Sequence, residues 1–395
     1  MYRPAFTVCA AIALIACNGD GNAQTDNKPA TGESDALTIV DTVPFVAEEM
    51  GRFDEPWAMT FLPGGMLLVT EKGGTLRFID NPGTPGARLG TVTGVPAVDY
   101  GGQGGLGDIV AHPDFAENSL LYFSYVEAGE DDTHGAAVAR ARLDCGEAGA
   151  CALQNVETIW RQTPKVTGRG HFGHRIAFSP DGHLFISSGE RQKFDPAQDL
   201  ANNLGSIVRL NDDGSVPAGN PFAERGGVTA QIWSYGHRNP LGIAFAPDGR
   251  LWTIEMGPAG GDELNLVRRG GNYGYPIVSN GDHYDGRDIP DHDSRPEFIA
   301  PALWWTPVIS PGDFIFYTGT LFPRWRGNVL AAGLSSKALI RVAIDGDTAT
   351  EAERFDMGER IREVEQGPDG AIWLLEDQKN RGGSGGRLLR LAPRR

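Results

Sequence analysis

Basic charge is scarce in this sequence. The 395 residues include 35 lysines and arginines against 51 aspartates and glutamates, so the formal net charge is −16 at pH 7. A surface of this sign repels phosphate backbones, which argues against nucleic acid as a partner. The acidic balance suits a protein that handles neutral substrates, and it is compatible with bound cations.

Long helical periods and spanning apolar runs are also lacking. Residues 5–16 form a nearly unbroken apolar run, but it is too short to cross a membrane and follows the positive Arg3, as in a secretion signal. The run ends in LIAC at residues 14–17, the pattern of a bacterial lipobox in which the cysteine is lipidated. An ordinary signal peptide cleaved near Ala23, with Cys17 discarded, is the alternative.

The N-terminal pattern predicts three sections of chain. We expect a lipoprotein signal over residues 1–17 with Cys17 as the lipid site, a flexible polar tether over 18–36, and one folded domain over 37–395. The protein would be exported to the periplasm and held at the outer membrane, because Asn18 rather than aspartate follows the cysteine. Contact with the membrane would occur through this lipid anchor alone.

Cysteine is rare, with four in the chain. Cys9 lies within the apolar signal and Cys17 is the predicted lipid site, which leaves Cys145 and Cys151 in the segment DCGEAGAC. Two cysteines this close in an exported protein favour a disulfide that closes a small loop. A metal site is the alternative, although no second Cys or His pair stands nearby at zinc-binding spacing.

One pattern returns six times along the chain: an apolar triplet, a turn of the Pro-Asp-Gly kind, and an apolar or aromatic strand. IAFSPDGHLFISSG at 176–189 and IAFAPDGRLWTIEMG at 243–257 are clear copies, and their turns have hairpin chemistry. Six such units predict an all-β, six-bladed β-propeller, with the strand at 37–46 pairing with the last unit to close the ring. A two-sheet sandwich is the alternative. In a propeller, the active site would lie at the mouth of the central channel.

Histidines mark the first unusual segment, GRGHFGHRIAF at 168–178. His171 precedes an apolar strand and is therefore expected on a loop, where an imidazole suits general-base work. His171 and His174 could instead form a metal pair. A charged surface loop without a function is the simplest alternative.

Two further segments contain groups that can bind charged ligands. In IWSYGHRNP, Arg238 and Asn239 can bond carbonyl or carboxylate oxygens from a fixed loop. In EMGPAGGDELN, the carbonyls of a glycine-rich turn stand beside Asp262 and Glu263, the kind of oxygen donors that calcium prefers. A turn that merely starts a strand, and a long polar loop, are the respective alternatives.

Arginines alternate in GERIREV, so Arg360 and Arg362 point to one side of a strand. Two such arginines with no acid between them favour a polyanionic ligand, and a solvated edge is the alternative.

Gln103 lies in the glycine-rich segment GGQGGLGD, where a ligand can approach the backbone closely. A flexible turn is equally compatible with that segment.

Taken together and in this order, these segments resemble the soluble quinoprotein glucose and aldose sugar dehydrogenases, which use pyrroloquinoline quinone (PQQ) and calcium. The resemblance covers residues 45–393, essentially the whole expected domain. It depends on HFGHR, AQDLANNLGSIVRL, IWSYGHRNP, GPAGGDELN with GGNYGYP, and GERIREV. It implies oxidation of an aldose at C1 to a lactone, with electrons passed to an external acceptor.

The resemblance also implies roles for individual residues. His171 matches the base that takes the proton of the sugar C1 hydroxyl, while hydride passes from C1 to C5 of the quinone. Arg238 matches the residue that stabilises negative charge on the quinone oxygens. Further matches to cofactor or substrate contacts are Gln103, Asn239, Arg360 and Arg362.

Two calcium sites are implied in the same way. The backbone carbonyls of Gly257 and Pro258 match ligands of the ion that also touches PQQ, where calcium would act as a Lewis acid. Glu263 and the carbonyl of Tyr273 match ligands of a second, structural ion.

The sequence departs from the family pattern in three places. His174 stands where glycine is usual, which would narrow the pocket or add a second titrating group. The lysine that contacts PQQ in relatives directly follows a leucine, whereas Lys337, the candidate for this cofactor contact here, is offset from Leu334 by two serines. The remaining carboxylate of the second calcium site has no clear match, and the candidates are Asp282 and Asp285, with His283 between them.

Three functions remain open from the sequence. Besides PQQ-dependent aldose oxidation, the chain could be a calcium-dependent hydrolase such as a lactonase, which would not need Arg360 and Arg362 beside Arg238. It could also be a binding propeller without catalysis, in which His171 and Arg238 would not converge with the Gly257 loop. Monomer and dimer are both compatible with the sequence, since no apolar edge stands out.

Overall fold

The computed structural model describes residues 43–146, 149–377 and 386–394. The predicted signal and tether, with Cys17, lie outside the described residues. Within them the domain is all-β as predicted, with 27 strands and one four-residue helix, α1 (Phe115–Asn118). In the same ranges, no helix is both long and apolar enough to cross a membrane.

Most strands form four-stranded antiparallel units, numbered 1 to 6 along the chain. Units 1 and 2 join into one sheet through parallel pairing of their last strands. Unit 1 contains β2 (Pro56–Phe61), β3 (Leu67–Glu71), β4 (Thr75–Asp80) and β5 (Arg88–Thr93). Unit 2 contains β6 (Leu106–Ala111), β7 (Leu120–Ala128), β8 (Thr133–Cys145) and β9 (Cys151–Arg161), with β10 (Val166–Thr167) paired to β8.

Units 3 and 4 are separate four-stranded sheets. Unit 3 contains β11 (Gly173–Phe178), β12 (Leu184–Ser188), β13 (Ser206–Leu210) and β14 (Ile232–Tyr235). Unit 4 contains β15 (Pro240–Phe245), β16 (Leu251–Glu255), β18 (Asp262–Leu266) and β20 (Leu303–Trp305). Two short strands pair with each other, β17 (Ala259–Gly260) and β19 (Gly281–Asp282).

The last units bring the two ends of the domain together. Unit 5 contains β21 (Pro311–Phe316), β22 (Val329–Gly333), β23 (Ala338–Asp345) and β24 (Thr348–Asp356). Unit 6 contains β25 (Ile361–Gln366), β26 (Ile372–Glu376), β27 (Gly386–Pro393) and, antiparallel to β27, β1 (Phe45–Phe53). A strand near the start therefore closes against the last unit as predicted, but it begins at Phe45, whose ring packs on Trp325 and Phe355. Residues 37–42 of the predicted strand lie outside the described residues.

The loops carry five short 3₁₀ helices and a disulfide. The sulfurs of Cys145, at the end of β8, and Cys151, at the start of β9, are joined by a bond that closes this hairpin. The 3₁₀ helices are Asp195–Gln198, Ala223–Arg225, Val228–Gln231, His292–Ser294 and Pro323–Trp325.

Turn chemistry explains why each unit doubles back. Between β11 and β12, the Ser179 amide donates to the His183 carbonyl at 2.9 Å, and Gly182 has φ +85°. Glycine adopts that left-handed conformation without the steric cost that a Cβ would bring. The turn between β15 and β16 repeats this arrangement, with Gly249 at φ +84°.

The first strands of the units form a closed ring. β2, β6, β11, β15, β21 and β25 contact one another in that order, and β25 contacts β2. Each of these strands carries a register shift near its beginning. Their leading residues are mostly buried, so the ring has a packed centre at that end.

A single buried arginine fills this centre. Arg175 comes from β11 and is 2% exposed. It contacts the first strand of each of the five other units. Its guanidinium donates to Leu241 O (2.7 Å), Gly312 O (2.7 Å), Glu363 Oε2 (2.6 Å) and Asp108 Oδ1 (3.2 Å), and its Cζ lies 4.0 Å from the ring centroid of Trp57. One side chain therefore ties the six units together.

Acidic groups outnumber the guanidinium at this centre. Burial raises the pKa of Asp313 to about 7, against the opposing charge of Arg175 and with the help of nearby Asp108. Burial also raises the pKa of Asp108 and of Glu363, again opposed by Arg175. The positive charge of Arg175 therefore stabilises the ionised forms of Asp108, Asp313 and Glu363.

Candidate active site

Two adjoining cavities open at the end of the ring where the first strands begin. The larger has a volume of about 520 Å³ and is lined by residues that include Trp57, Phe172 and Leu241. The smaller, of about 250 Å³, is lined by His171 and Arg238 among others. His171 and Phe172 are consecutive in the chain, so the two cavities share a wall.

His171 is held in one orientation by a buried carboxylate. Its Nδ1 lies 2.5 Å from Oε1 of Glu190, which has no exposed surface. The other oxygen of Glu190 accepts the amides of Lys193 (2.5 Å) and Phe194 (2.7 Å). Since an ionised carboxylate only accepts hydrogen bonds, Nδ1 carries the proton and Nε2 is left with a free lone pair.

The surroundings of His171 keep it neutral. Burial lowers its pKa and the charge of Arg238 acts in the same direction, while the hydrogen bond to Glu190 opposes both. Burial alone would raise the pKa of Glu190, but the hydrogen bond from His171 and the amide donors bring it below its ordinary value. A neutral imidazole beside an ionised carboxylate is the arrangement that a general base requires.

Gln103 acts on the backbone of His171. Its Oε1 accepts the His171 amide at 2.7 Å, and its side chain is exposed at the wall of the larger cavity. His171 itself has φ +49°, a left-handed conformation that is uncommon for a residue with a side chain. The hydrogen bond from this amide therefore helps to hold the histidine in an unusual backbone state.

Arg238 lines the smaller cavity, and its neighbour in the chain, Asn239, is fully buried. The Arg238 amide donates to Glu255 at 2.6 Å and its Nη1 donates to the Met256 carbonyl at 2.9 Å, which fixes the guanidinium. Its Nε and the Nδ2 of Asn239 are buried and have no hydrogen-bond partner among the described residues. Buried donors without partners are costly, so each of them is a candidate to bind a ligand oxygen.

Arg360 and Arg362 line the larger cavity, as the alternation predicts, but an acid lies with them. Arg360 Nε donates to Asp377 Oδ2 at 2.9 Å, and Arg362 Nη2 donates to Asp377 Oδ1 at 3.1 Å. The two arginines lower the pKa of Asp377 against the effect of its burial. Lys72 lines the same cavity, so cations exceed acids among these four residues.

Lys337 lies apart from this cluster. Its side chain is exposed, its Nζ donates to the Gly358 carbonyl at 3.0 Å, and it is not among the residues that line either cavity. The backbone explains the position, because Lys337 has φ +53° at the tight turn that leads into β23.

His174 lines the larger cavity. Its Nδ1 lies 2.7 Å from Ser124 Oγ, and its ring stacks on Trp57 at 4.8 Å. Burial and the neighbouring Arg175 lower its pKa to about 3. His174 is therefore neutral at ordinary pH, and the expectation of a second titrating group is not met.

The glycine-rich loop after β16 folds back on itself. A Cβ on Gly257 would lie 2.2 Å from the Gly260 carbonyl oxygen and 2.3 Å from that of Gly261, so only glycine fits. Both carboxylate oxygens of Asp262 accept backbone amides, from Gly257 (2.8 Å) and Ser310 (2.6 Å). Asp262 therefore fixes the loop to the segment before β21. The oxygens of this turn that could bind a ligand are the backbone carbonyls.

Glu263 and Tyr273 lie in a second buried group. Glu263 Oε2 accepts Asn265 Nδ2 at 3.0 Å, while Asn265 Oδ1 is buried without a partner in the described part of the chain. The Tyr273 hydroxyl is occupied, donating to the Leu266 carbonyl at 2.6 Å and accepting the Arg268 amide. Only the Tyr273 carbonyl is therefore left for the predicted role.

The acids suggested as completing this second site are placed elsewhere. Asp282 accepts the Ile289 amide at 3.2 Å, and Asp285 pairs with Arg287 at 2.9 Å in an exposed loop. His283 and Asp285 both line the smaller cavity, on the side of His171. Across residues 43–146, 149–377 and 386–394, no three His, Cys, Asp or Glu side chains form a group that could hold a metal ion.

Sequence reasoning missed several residues of the cavities. Their common feature is a position just after the second strand of a unit, where each hairpin returns to the end at which the ring strands begin. These residues are Lys72 after β3, Glu190 near the end of β12, Met256 after β16, Leu334 after β22 and Asp377 after β26. The six-fold turn pattern could have located them, since the length of each hairpin fixes where its second strand ends.

Comparison with known proteins identifies the relatives of this chain. A family model described as glucose/sorbosone dehydrogenase matches residues 53–390. The aldose sugar dehydrogenase YliI of Escherichia coli strain K12 is 39% identical over 351 residues, which cover 87% of this chain and 91% of that protein.

Solved structures agree with the sequence comparison. The soluble aldose sugar dehydrogenase of Escherichia coli in the apo form matches with a TM-score of 0.81 at 38% identity, covering 89% of this chain and 100% of that one. The PQQ-bound aldose sugar dehydrogenase of Streptomyces coelicolor matches with a TM-score of 0.71 at 28% identity, covering 88% and 98%. The chain therefore belongs to the glucose/sorbosone dehydrogenase family.

Proposed function

We propose that this protein oxidises aldoses at C1 to lactones, with PQQ as the bound electron acceptor and calcium as a second cofactor. The observation that carries the proposal is the His171–Glu190 pair, which faces a cavity beside Arg238 and next to a second cavity lined with cations. Electrons would leave to an external acceptor. We also propose that the six units are the blades of a six-bladed propeller and that Cys17 anchors the exported protein to the outer membrane by lipid.

His171 supplies the proton-accepting group. Its Nε2 takes the proton of the C1 hydroxyl, and Glu190 stabilises the imidazolium that results through the existing 2.5 Å contact at Nδ1. Arg238, held by Glu255 and Met256, would place its positive charge where negative charge develops. Bound PQQ would supply the acceptor for the two electrons and the hydrogen that leave C1.

The larger cavity fits a flat polyanion. Arg360, Arg362 and Lys72 provide positive charge along one side, and Trp57, Phe172 and Leu241 are apolar wall residues. PQQ is a planar quinone with three carboxylates, so ion pairing and stacking would both contribute to binding it. The unpartnered donors of Arg238 and Asn239 would meet oxygen atoms of the cofactor or of the substrate.

Calcium would be held mainly through backbone oxygens. In the Gly257–Pro258 loop, both carboxylate oxygens of Asp262 already accept backbone amides. The remaining ligands would be backbone carbonyl oxygens, which calcium binds readily. At the second site, the ligands would be oxygens of Glu263, Asn265 and the Tyr273 carbonyl, and the unpartnered Oδ1 of Asn265 supports this. The ion at Gly257–Pro258 would act as a Lewis acid.

The reaction is tested by dye-linked oxidation of glucose and other aldoses, with and without PQQ plus calcium. We expect activity only when both are added, and a lactone as product. If PQQ is not retained through gel filtration and no aldose is oxidised, the proposal fails. Hydrolysis of lactones by the same preparation would then favour a calcium-dependent lactonase.

Glu190→Gln is expected to lower kcat at least about tenfold, because the amide no longer fixes the tautomer of His171 or stabilises its charge. Glu190 raises the pKa of His171, so its removal lowers that pKa further. The base must be neutral, and the acidic limb of kcat/KM against pH should therefore move to lower pH. Glu157→Gln, at an exposed position, is the control, and an unshifted acidic limb would contradict the role of Glu190.

Arg360→Ala is expected to weaken PQQ affinity more than turnover at saturating PQQ, because Arg360 lies in the cationic wall and does not line the cavity of His171. Equilibrium titration with PQQ and a rate measurement at excess cofactor separate the two effects. Arg324→Ala, at an exposed position outside both cavities, is the matched control. Unchanged PQQ affinity in Arg360→Ala would remove this arginine from the cofactor site.

A further inference from the structure

Lys72 lies at the wall of the larger cavity. It follows β3 directly, and its Nζ donates to the Gly102 carbonyl at 3.0 Å, across from Arg360 and Arg362 on unit 6. No carboxylate forms an ion pair with its ammonium among the residues that the structure describes. The ammonium also lies over the ring of Tyr100, 5.6 Å from its centroid. An ammonium has three N–H donors, so Lys72 can still bind an anion.

The charges around Lys72 favour an anionic ligand. Asp377 is shared by Arg360 and Arg362, and Glu55 accepts a hydrogen bond from the Tyr100 hydroxyl. Three cations therefore face two acids at this wall. Burial lowers the pKa of Lys72, Glu55 and Asp377 raise it, and Arg362 lowers it, so an added carboxylate would offset part of the burial cost.

The other lysine considered for the cofactor is placed differently. Lys337 is exposed, donates to Gly358 at 3.0 Å, and does not line the cavity. Its ammonium would have to leave the Gly358 carbonyl and its side chain would have to change direction before it could reach the wall. Lys72 needs no such rearrangement.

We propose that Lys72, and not Lys337, is the lysine that pairs with a carboxylate of PQQ in this protein. The assignment rests on the proposed function, and it makes Lys72 the third cation of the site with Arg360 and Arg362. Lys72 is a binding residue in this scheme, since it lies on the cofactor wall and not beside Nε2 of His171.

The test measures PQQ binding to the apoprotein by titration calorimetry in the presence of calcium, so no turnover is needed. We expect Lys72→Met to raise the Kd for PQQ at least about tenfold, and Lys72→Arg to restore much of the affinity. Lys165→Met, which removes a lysine paired with Glu127 outside the cavities, should stay within about twofold of the wild type.

The trimethyl ester of PQQ separates charge pairing from general damage to the pocket. It should bind the wild type more weakly than PQQ, and Lys72→Met should weaken it no further, because the carboxylate partner is already gone. An equal loss of ester and acid affinity in Lys72→Met would overturn the pairing. The proposal would also fail if Lys337→Met lost affinity while Lys72→Met did not.

Failure of the proposed function has a different signature. If wild-type protein binds neither PQQ nor its ester, the function proposed above is wrong, and the inference about Lys72 falls with it. If the wild type binds PQQ and Lys72→Met binds it equally well, the function stands and only the role of Lys72 is lost.

Discussion

Replacing His171 with alanine is expected to lower kcat for aldose oxidation by about 10²–10⁴-fold, the range that a positioned general base contributes. The reason lies in the geometry: Glu190 occupies Nδ1 at 2.5 Å, which leaves Nε2 as the proton acceptor at the smaller cavity. PQQ should still bind, because Arg360, Arg362 and Lys72 line the other cavity. Steady-state kinetics and PQQ titration on the same preparation measure both effects.

His112→Ala is the matched control for this variant. His112 lies beyond the cavities, where it contacts Asn118 and packs against Phe178, so its removal should leave kcat within about twofold of the wild type. Full turnover in His171→Ala would exclude His171 as the base. Loss of PQQ binding together with turnover would instead show that His171 shapes the cofactor site.

Arg175→Met is expected to lower the free energy of unfolding by about 3–5 kcal/mol, the usual cost of leaving a buried ionic group without its partner. Asp108 and Glu363 lose their hydrogen bonds to the guanidinium, and the carbonyls of Leu241 and Gly312 lose a donor. Chemical denaturation should show the loss. Arg161→Met, which removes an exposed partner of Glu127, is the control and should cost less than about 1 kcal/mol.

The loss in Arg175→Met should depend on pH. The pKa of Asp313 is raised to about 7 in the folded protein, and that of Glu363 is raised as well. Carboxyls with a raised folded pKa favour folding below their unfolded value, and this contribution is lost as pH rises through the folded value. Without the opposing charge of Arg175, the deficit should be smaller at pH 5 than at pH 8. A deficit that is flat across this range would show that Arg175 acts through packing alone.

Much of the fold could be predicted from local sequence. The turn at 180–182 and its counterpart at 247–249 each require the φ that glycine adopts easily, and the strands around them alternate as hairpins do. Hairpin formation depends on neighbours in the chain, so it appears in the sequence directly. The pairing of the first strand with the last unit was also predicted, although its start at Phe45 depends on rings contributed by unit 5.

The site was predicted unevenly, and the reason is physical. His171, Arg238, Arg360 and Arg362 lie in compact motifs, and the structure brings each of them to one of the two cavities. Glu190 and Asp377 could not be predicted from local sequence, because each acts on a side chain supplied by another segment of the chain. Lys337 lies near the place in the sequence where the family has its lysine, but it stands at a left-handed turn and its side chain is exposed.

The sequence by itself determined the all-β class, the hairpin turns and the motifs that carry His171 and Arg238, because these depend on residues close together in the chain. Only the tertiary structure decided that Glu190 orients His171, that Lys72 joins the two arginines, and that Arg175 fills the centre of the ring. Those contacts join residues of different strands or different units, and their distances are set by how the ring closes. Local sequence does not encode that closure, because its packing energy is shared among all six units.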